Sequence, residues 1–404
     1  MKILVLNCGS SSVKYKLYEM ANEQVIAQGG VERVGQEGSF LKFKDRMGES
    51  VTIEKYLPEH TTAVELILET LQDPKHKYID SINEIDAVGH RVVHGGETFS
   101  KSTLITDEVI QKVKSLSDLA PLHNPANLKG VAAISKLLPH VPQVAVFDTA
   151  FHQTMEPYAY MYPLPYRMYS DYKVRRYGFH GTSHRYVSKR GAAFLGLDYD
   201  TARIITCHIG NGGSIAAVRG GQVVDTTMGL TPVEGLMMGT RTGDIDPGAL
   251  VYVMQKEGLD ADGLNKLVNK ESGVLGFSGI SSDMRDIESG MESGDERSIL
   301  TMQMYNHRIK KYVGAFLAEL DGADAIIFTG GVGENQAITR EYVCDNMDYA
   351  GIKIDKELNR KVRAKEVLLS TPDSKVKVAI IPTDEELLIA KDTHDIVLSQ
   401  GKGR

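Results

Sequence analysis

The chain has 404 residues, of which 42% are hydrophobic and 25% are charged, and its formal net charge is −7. This length allows two substantial domains, because a single hydrophobic core stops growing near about 250–300 residues. The acidic balance argues against a nucleic-acid-binding surface, which needs clustered lysine and arginine, although a local cationic site can still bind an anionic substrate. No stretch approaches the roughly 18 apolar residues of a membrane span, so we expect no membrane segment.

The first predicted elements are two strands joined by a small polar turn. Ile3–Leu6 is an apolar run typical of a buried strand, and residues 13–18 alternate as a half-buried strand does. The turn between them, NCGSSS, offers backbone N–H groups and hydroxyls that suit an anion, and Lys14 follows it. The turn is either a phosphate-binding hairpin or simply a polar turn.

A second copy of this pattern lies about half the chain away. Residues 204–218 again run from an apolar strand through a Gly/Asn/Ser turn into an alternating strand. Internal similarity of this kind predicts a duplicated domain. We therefore expect a cleft in which the two hairpins hold a polyphosphate.

The remaining pattern predicts alternating strands and helices, with a domain boundary near residue 150. Strands are predicted at residues 24–34, 85–93, 144–147, 323–328 and 377–381. Helices are predicted at residues 61–72, 107–118, 127–138, 247–257, 261–269, 296–320 and 384–397. The charged run 353–365 is interpreted as a solvated helix. The three cysteines (Cys8, Cys207, Cys344) lack a C-x-x-C pair, so we expect free buried thiols in a reducing cytoplasm.

Several side chains with suitable chemistry adjoin glycine-rich or strand-end sequence. Arg91 and Arg241 could bind carboxylate or phosphate oxygens, or form structural salt bridges. Asp148 follows a predicted buried strand, where ligands usually bind in α/β sheets, but it could equally cap a turn. His180 and His208 adjoin glycine turns. The chain contains no GxxxxGK[S/T] motif, so a nucleotide would depend on the hairpins and on the strand–glycine–helix turn at 329–335.

Ten segments, in order along nearly the whole chain, resemble the acetokinase family of the actin/sugar-kinase/heat-shock-ATPase superfamily. They are LNCGSSSVK (6–14), GHRVVHGG (89–96), LAPLHNP (119–125), VFDTAFHQTM (146–155), YGFHGTSH (177–184), CHIGNGGSI (207–215), MGTRTGDIDP (238–247), SGISSDMRDI (278–287), FTGGVGEN (328–335) and PTDEEL (382–387).

The resemblance implies an α/β fold of two duplicated actin-like (ribonuclease-H-like) βββαβαβα domains that flank a nucleotide cleft. The N-terminal domain would comprise residues 1–150 and a C-terminal helix at 386–404. The second domain, residues 151–385, would carry most of the nucleotide site. The family also implies a homodimer, with which the tyrosine-rich segment 158–162 is consistent.

The resemblance assigns roles to individual positions. Catalytic positions are matched by Asp148, His180, Arg241 and Arg91. Arg91 also matches the acetate-binding arginine, and an apolar pocket for the acyl methyl is matched by Val93, Leu122, Phe179 and Pro232. Nucleotide-binding positions are matched by Lys14, His208, Ile209, Gly210, Asn211, Gly212, Asp283, Met284, Arg285, Gly331, Val332, Gly333, Glu334 and Asn335. Metal-associated positions are matched by Asn7 and Glu385. Asp384 departs from the pattern, in which asparagine is commoner, and this could alter metal affinity.

The implied reaction is reversible transfer of the γ-phosphoryl group of ATP to acetate, giving ADP and acetyl phosphate, with Mg²⁺ as the metal and Mn²⁺ as an alternative. Acetate is already a nucleophile, so Asp148 is interpreted as orienting a metal or an arginine and not as a base. Direct in-line transfer is expected rather than a phosphoenzyme, because it requires no extra residue. Propionate kinase is the main rival, since one methylene is worth only about 1–3 kcal/mol of discrimination. A non-enzymatic actin-like ATPase is the rival from another class.

Overall fold

The structure, a computed structural model, describes residues 1–45 and 47–401. Contacts within the chain divide it into two compact units. The first unit is Met1–Phe151 together with the segment that begins at Asp384, and the second is His152–Thr383.

The first unit is built on an eight-stranded sheet with the order β5-β4-β3-β2-β1-β6-β8-β7. Its strands are β1 (Lys2–Cys8), β2 (Ser12–Glu19), β3 (Gln24–Glu32), β4 (Phe40–Lys44), β5 (Ser50–Glu54), β6 (Ile85–Val92), β7 (Thr103–Leu104) and β8 (Gln143–Phe147). Strands β1, β6 and β8 are parallel, whereas β1 to β5 form an antiparallel meander. The hairpin of β4 and β5 extends the predicted meander by two strands.

Three helices of the first unit precede residue 150. They are α1 (His60–Gln72), α2 (Asp107–Ser115) and α3 (Asn124–Leu137), with 3₁₀ turns at Ile82–Glu84 and Ser117–Leu119. Apolar faces of α1 and α3 cover one face of the sheet, where residues such as Leu4, Leu6 and Ile67 are fully buried. Burial on both faces explains why β1 and β8 read as continuous apolar runs in the sequence.

The second unit is built on a six-stranded sheet with the order β11-β10-β9-β12-β14-β13. Its strands are β9 (Arg203–Ile209), β10 (Gly213–Arg219), β11 (Gln222–Thr226), β12 (Ala325–Thr329), β13 (Val367–Leu368) and β14 (Lys377–Ile380). Strands β9, β12 and β14 are parallel and β10 is antiparallel to β9. The series β3-β2-β1-β6-β8 and β11-β10-β9-β12-β14 therefore have the same order and directions, and the predicted duplication is confirmed.

Eleven helices of the second unit surround this sheet in the described part of the chain. They are α4 (Pro157–Tyr160), α5 (Arg167–Tyr172), α6 (Gly181–Leu195), α7 (Pro247–Glu257), α8 (Ala261–Lys270), α9 (Gly273–Ser278), α10 (Met284–Glu292), α11 (Glu296–Glu319), α12 (Gly330–Asn335), α13 (Ala337–Cys344) and α14 (Lys356–Lys361). Further 3₁₀ turns lie at Ala150–Thr154 and Asp348–Ala350. The charged run 353–365 is helical only over α14, so its interpretation as one solvated helix was wrong.

The last helix, α15 (Glu385–Ser399), returns to the first unit. Its N-cap residue Asp384 accepts a hydrogen bond from Tyr18 at 3.2 Å and one from Lys16 at 3.4 Å, both on β2. These contacts place residues 384 and 385 in the first unit, whereas the sequence analysis assigned them to the second. The predicted helix 386–404 starts one residue earlier, at Glu385. It ends at Ser399, because Gly401 adopts a positive φ of 64°. Residues 402–404 lie outside the described residues.

None of the helices in residues 1–45 and 47–401 combines the length and the apolar character needed to cross a membrane. The three cysteines are free and buried, as expected. Burial raises the pKa of the Cys8 thiol to about 12, so this group stays protonated at neutral pH.

Candidate active site

A polar cluster lies at the carboxyl ends of three neighbouring parallel strands in the first unit. Asn7 is the penultimate residue of β1, Arg91 that of β6, and Asp148 follows β8 directly. The Arg91 guanidinium donates through Nε to Asp148 Oδ1 at 3.2 Å and through Nη2 to Asp148 Oδ2. Its Nη1 atom lies 3.4 Å from Asn7 Oδ1. This strand edge is where α/β sheets usually bind ligands.

The Arg91–Asp148 pair is largely withdrawn from solvent, since the Asp148 side chain is 1% exposed and that of Arg91 is 24% exposed. Burial opposes the charge on Arg91, but the carboxylates of Asp148 and Glu385 outweigh burial and raise the Arg91 pKa above its ordinary value. The two-pronged pairing fixes the plane of the guanidinium. Asp148 is therefore suited to orient Arg91.

Glu385, the first residue of α15, is a second carboxylate beside the Arg91–Asp148 pair, so carboxylates outnumber the arginine in this cluster. Its Oε1 atom is buried and accepts no hydrogen bond from any described residue. Burial, together with the nearby Asp148 carboxylate, raises the pKa of Glu385 to about 7, with Arg91 acting in the opposite direction. A buried carboxylate oxygen without a donor is costly unless a cation binds it.

These features fit a hard divalent cation such as Mg²⁺. Magnesium is usually held by one or two protein oxygens, with water and substrate phosphates completing its shell. Glu385 Oε1 is an oxygen that lacks a donor, and Asn7 offers an amide oxygen in the same cluster. Within the described residues, no three His, Cys, Asp or Glu side chains form a closed metal cage. The donor set therefore suits a metal that arrives with phosphate.

Lys14 lies beside Asn7 in the first unit, because the two residues are directly paired between β1 and β2. Its side chain is exposed. The predicted contact of Lys14 with the nucleotide, together with residues of the second unit, stays a prediction.

In the second unit, the side chains of Arg241 and His180 approach the glycine turn between β9 and β10. A Cβ atom added to Gly212 would lie 3.3 Å from Arg241 Nη1 and 3.7 Å from His180 Nε2. A backbone hydrogen bond also holds this turn, in which Gly239 N donates to Asn211 O at 2.8 Å. Glycine at 212 leaves room beside the backbone for these two side chains, whereas glycine at 239 allows the close approach of Asn211, with which an added Cβ would overlap.

His180 precedes α6 in a left-handed conformation, with φ of 55°. Such a conformation is uncommon for a residue with a side chain and occurs often at functional sites. Its Nδ1 atom lies 2.9 Å from Ser214 Oγ, and its ring stacks on that of His208 with centroids 4.3 Å apart. His208 is in turn held through Nδ1, 2.7 Å from Ser183 Oγ. The ring of His180 is therefore fixed on two sides.

Arg241 is partly buried and forms no ion pair with a carboxylate in residues 1–45 and 47–401. The one hydrogen-bond contact of its side chain with a described residue is a weak one, from Nη1 to Met238 Sδ at 3.9 Å. Burial lowers the Arg241 pKa from its usual value, and no carboxylate counteracts this effect. A desolvated guanidinium without a counter-ion is prepared to bind an anion.

A cavity of about 900 Å³ opens next to this turn within the second unit. Eight of the predicted nucleotide-binding residues line it: Gly210, Asn211, Asp283, Met284, Arg285, Gly331, Val332 and Asn335. The volume lies in the range of small-molecule and cofactor sites. The walls come from the β9–β10 turn, the start of α10 and helix α12, which are distant in sequence.

The other predicted nucleotide-binding residues of this unit lie behind the cavity wall. Glu334 Oε1 accepts from the backbone N–H groups of Gly330 at 2.9 Å and Thr383 at 3.2 Å, so it fixes the turn. Ile209 is fully buried in the core. His208, Gly212 and Gly333 do not line the cavity either, although His208 and Gly212 adjoin His180.

Six further residues line the cavity and were not predicted from the sequence: Gly239, Ser282, Glu288, Tyr305, Gln336 and Arg363. Two of them, Ser282 and Gln336, could have been found from the sequence, because they directly adjoin predicted residues. Glu288 lies one helical turn after Met284 on α10, and Tyr305 gave no local signal. Arg363 belongs to the charged run that was interpreted as solvated.

The four predicted residues of the acyl pocket are divided between the units. Val93 is buried and Leu122 is exposed in the first unit, whereas Phe179 is buried and Pro232 half-buried in the second. The predicted catalytic residues are divided in the same way, with Arg91 and Asp148 in the first unit and His180 and Arg241 in the second. The pocket and the joint action of the two clusters stay predictions.

The duplicated fold is that of the actin-like class, the fold class predicted from the sequence, and the glycine turn and the cavity have the size and chemistry that a nucleotide site needs. Residues 2–391 match the Acetokinase family. The chain belongs to this family.

The chain is similar to individual members of the family over nearly their full length. The chain is 62% identical to an acetate kinase of Bacteroides thetaiotaomicron over 397 residues, which cover 98% of this chain and 100% of that protein. It is 60% identical to an acetate kinase of Parabacteroides distasonis, covering 98% and 99%. A crystal structure of Porphyromonas gingivalis acetate kinase is 61% identical with a TM-score of 0.96, covering 98% and 99%. That of a propionate kinase from Francisella tularensis is 39% identical with a TM-score of 0.90, at the same coverage.

Proposed function

We propose that this chain is an acetate kinase, which transfers the γ-phosphoryl group of ATP to acetate and catalyses the reverse reaction. The observation that carries the proposal is Arg241, a desolvated guanidinium without a carboxylate partner among the described residues, beside His180 and the glycine turn. A protein that only binds nucleotide or assembles does not need this cation. The names of relatives about 60% identical support acetate as the acceptor.

Arg91 would bind the acceptor carboxylate. Asp148 occupies its Nε and Nη2 atoms, while Nη1 has only a long contact to Asn7, so Nη1 remains able to donate to acetate. Acetate has no proton to lose at neutral pH, so Asp148 is not required as a base. Its proposed role is to hold the guanidinium in the orientation that the carboxylate needs.

Phosphoryl transfer brings together two anions that repel each other. At 4 Å and an effective dielectric constant of 20, each pair of like charges costs about 4 kcal/mol. Arg241 and His180 would offset this repulsion at the transferring group, because negative charge is distributed over its equatorial oxygens during transfer. Direct in-line attack of acetate on the γ-phosphorus requires no further residue, so we propose it rather than a phosphoenzyme.

The cavity of the second unit would hold the adenosine portion of ATP, with the glycine turn beside the phosphates. Asn7 and Glu385 would hold Mg²⁺, and Lys14 is positioned next to Asn7 to contact a phosphate. When bound, Mg²⁺ supplies neutralisation of the β- and γ-phosphate oxygens. Mn²⁺ has the same preference for oxygen ligands and is an alternative.

Acyl selectivity would depend on Val93, Leu122, Phe179 and Pro232. Propionate kinase is the second candidate, and the observation that favours it is the structural similarity to the Francisella enzyme. The higher identity to acetate kinases places acetate first.

We also propose a cytoplasmic homodimer. Exposed aromatic and aliphatic residues of one segment, Tyr158, Leu164, Tyr166 and Tyr172, form the surface that a second copy would cover. Light scattering coupled to gel filtration tests this state, and a monomeric mass at micromolar concentration would contradict it. The three free, buried thiols support a reducing compartment.

The decisive experiment measures ADP release from Mg²⁺·ATP with formate, acetate, propionate and butyrate, while hydroxylamine traps the acyl phosphate. We expect acetate to give the highest kcat/KM, with propionate lower by roughly 10- to 100-fold. Higher activity with propionate would identify the second candidate. Absence of acyl phosphate, combined with ATP-dependent sedimentation, would favour an assembly ATPase. Arg241→Gln excludes a contaminating kinase, because its preparation should be inactive.

A further inference from the structure

A chain of three hydrogen bonds runs from the sheet of the second unit to His180. Thr206 Oγ1, on β9, lies 2.7 Å from His184 Nδ1, on α6. The other nitrogen of this ring, Nε2, lies 2.8 Å from Ser214 Oγ on β10, and Ser214 Oγ lies 2.9 Å from His180 Nδ1. Thr206, His184 and Ser214 are each fully buried, so the two bonds of His184 are withdrawn from water, whereas His180 at the end of the chain is half-buried.

Two arrangements give every contact one proton and the Ser214 hydroxyl an acceptor. If Ser214 Oγ accepted from both histidines, its own O–H would be buried without an acceptor, because no other described group lies within hydrogen-bond distance of it. Each contact needs one proton, and a neutral His184 supplies one N–H, while Thr206 and Ser214 supply one O–H each. In the first arrangement, Thr206 donates to His184, His184 donates to Ser214, and Ser214 donates to His180 Nδ1. In the second, every donor and acceptor is reversed, and His180 must carry a proton on Nδ1.

The distances favour the first arrangement. Reversal would turn the Thr206 hydroxyl from the 2.7 Å contact with His184 to a contact of 3.4 Å with the backbone oxygen of Ala216. A hydrogen bond at that distance is weak. His184 is neutral in both arrangements, since burial and the neighbouring His152 and His208 lower its pKa well below the ordinary value.

The surroundings of His180 also disfavour a positive charge on its ring. Arg241 Nη1 approaches the same turn as His180 Nε2, and a cation there repels a second one. His208 stacks on the opposite face of the ring at 4.3 Å, and His184 has its ring centroid 6.5 Å away.

We propose that Thr206, His184 and Ser214 are positioning residues that hold His180 as the neutral tautomer protonated on Nε2. The inference deepens the proposed function, on which its kinetic part rests. In this tautomer, His180 presents an N–H donor towards the space beside Gly212 and Arg241, where the transferring phosphoryl group would lie. Arg241 then supplies the charge, and His180 supplies a directed hydrogen bond that does not depend on protonation near pH 7.

The first test needs no activity. Protein labelled with ¹⁵N-histidine is measured at pH 7.5 by long-range ¹H–¹⁵N correlation, which distinguishes protonated from unprotonated ring nitrogens. The His180 signals are identified by their loss in His180→Gln. We expect an unprotonated Nδ1 and a protonated Nε2 on His180, and a protonated Nε2 on His184. A protonated His180 Nδ1 in the unaltered protein overturns the proposal.

The second test removes the far end of the chain. Thr206→Val keeps the side-chain shape but cannot donate to His184, and Thr206→Ser is the matched control that retains the hydroxyl. Thr206 does not contact His180, so a purely structural role would leave the His180 tautomer unchanged. We expect Thr206→Val to move His180 protonation towards Nδ1, and Thr206→Ser to retain the original pattern. Ser214→Ala replaces Thr206→Val if the latter does not fold.

The kinetic expectation follows from the same change. Thr206→Val should lower kcat and kcat/KM by the same factor, about tenfold, because full loss of one transition-state donor costs about 10²–10³-fold and the tautomer shift is partial. The KM values for ATP and acetate should stay within about twofold. An unchanged tautomer or an unchanged kcat in a folded Thr206→Val protein overturns the proposal. If the unaltered protein lacks acetate kinase activity, the proposed function fails, while the tautomer measurement still tests the chain.

Discussion

The two arginines of the candidate active site should respond oppositely in stability when their charge is removed, although both should lose activity. Arg91 pairs with a carboxylate that is 1% exposed, whereas Arg241 is desolvated without any carboxylate partner in the described chain. Arg91→Gln therefore leaves Asp148 buried and unpaired beside Glu385. Arg241→Gln removes a buried charge that nothing compensates.

The expected magnitudes follow from these environments. Removing one partner of a buried ion pair costs about 3–5 kcal/mol, and the partial exposure of Arg91 places it at about 3 kcal/mol. For a unit of this size, each kcal/mol shifts the melting temperature by roughly 2–4 °C. Arg91→Gln should thus melt on the order of 10 °C lower in the first unit. Arg241→Gln should melt at the original temperature or slightly above it.

Activity should fall on the order of 10³-fold in both variants, by analogy with arginine residues that stabilise phosphoryl transfer in other enzymes. Calorimetry gives the melting transitions and hydroxylamine trapping gives the rates. Arg190→Gln is the matched control, because Arg190 forms an exposed ion pair with Glu366 and should alter neither quantity appreciably. If Arg241→Gln destabilises the protein as much as Arg91→Gln, or if it keeps more than about a tenth of the activity, the assigned role of Arg241 is wrong.

Two further predictions concern the metal and the nucleotide. The pKa of Glu385 in the folded protein is raised to about 7 from its ordinary value of 4.5. In the metal-free protein, the stability that protonated Glu385 contributes is therefore complete below pH 4.5 and is lost as the pH rises through 7. Glu385→Gln should weaken this dependence of the melting temperature on pH. Mg²⁺ binding, followed by calorimetry with an ATP analogue, should conversely weaken as pH falls below 7, and an unchanged affinity between pH 6 and 8 would exclude Glu385 as a ligand. Gly331→Val should raise the KM for ATP at least about tenfold without lowering the melting temperature, because a Cβ at Gly331 meets no described protein atom within 4 Å while the residue lines the cavity. Gly314→Ala, on α11, likewise has open space and serves as its control, with an unchanged KM and about 1 kcal/mol of added stability.

The duplicated fold could be predicted because its signal is local. Each hairpin is encoded by a continuous run of apolar residues, a small turn and an alternating run, all within about fifteen residues, and the same run occurs twice. The end of the second unit at Thr383 could not be predicted from the local sequence pattern. Asp384 and Glu385 have the sequence pattern of the first turn of a helix, and only the contacts of Asp384 with β2 show to which sheet that helix belongs.

The cavity and the hydrogen-bond chain show where local patterns fail. Arg363 follows a short helix within a strongly charged run, and its position on the cavity wall depends on the path of the chain after α14. Thr206, His184 and Ser214 come from two strands and a helix, and their sequence contains no periodicity that links them. Buried polar residues of this kind are recognised by their partners, which only the folded chain supplies.

The return of α15 to the first unit has a consequence for biosynthesis. Ile389, Ala390 and Val397 of this helix pack against Ile3 and Val5 in one apolar cluster. The first unit cannot complete that cluster until the last helix is available, although the rest of its chain is made first. It should therefore not finish folding ahead of the second unit, as N-terminal domains usually do. A chain truncated after Thr383 should retain a protease-resistant second unit and a protease-sensitive first one, whereas the full chain should resist protease in both.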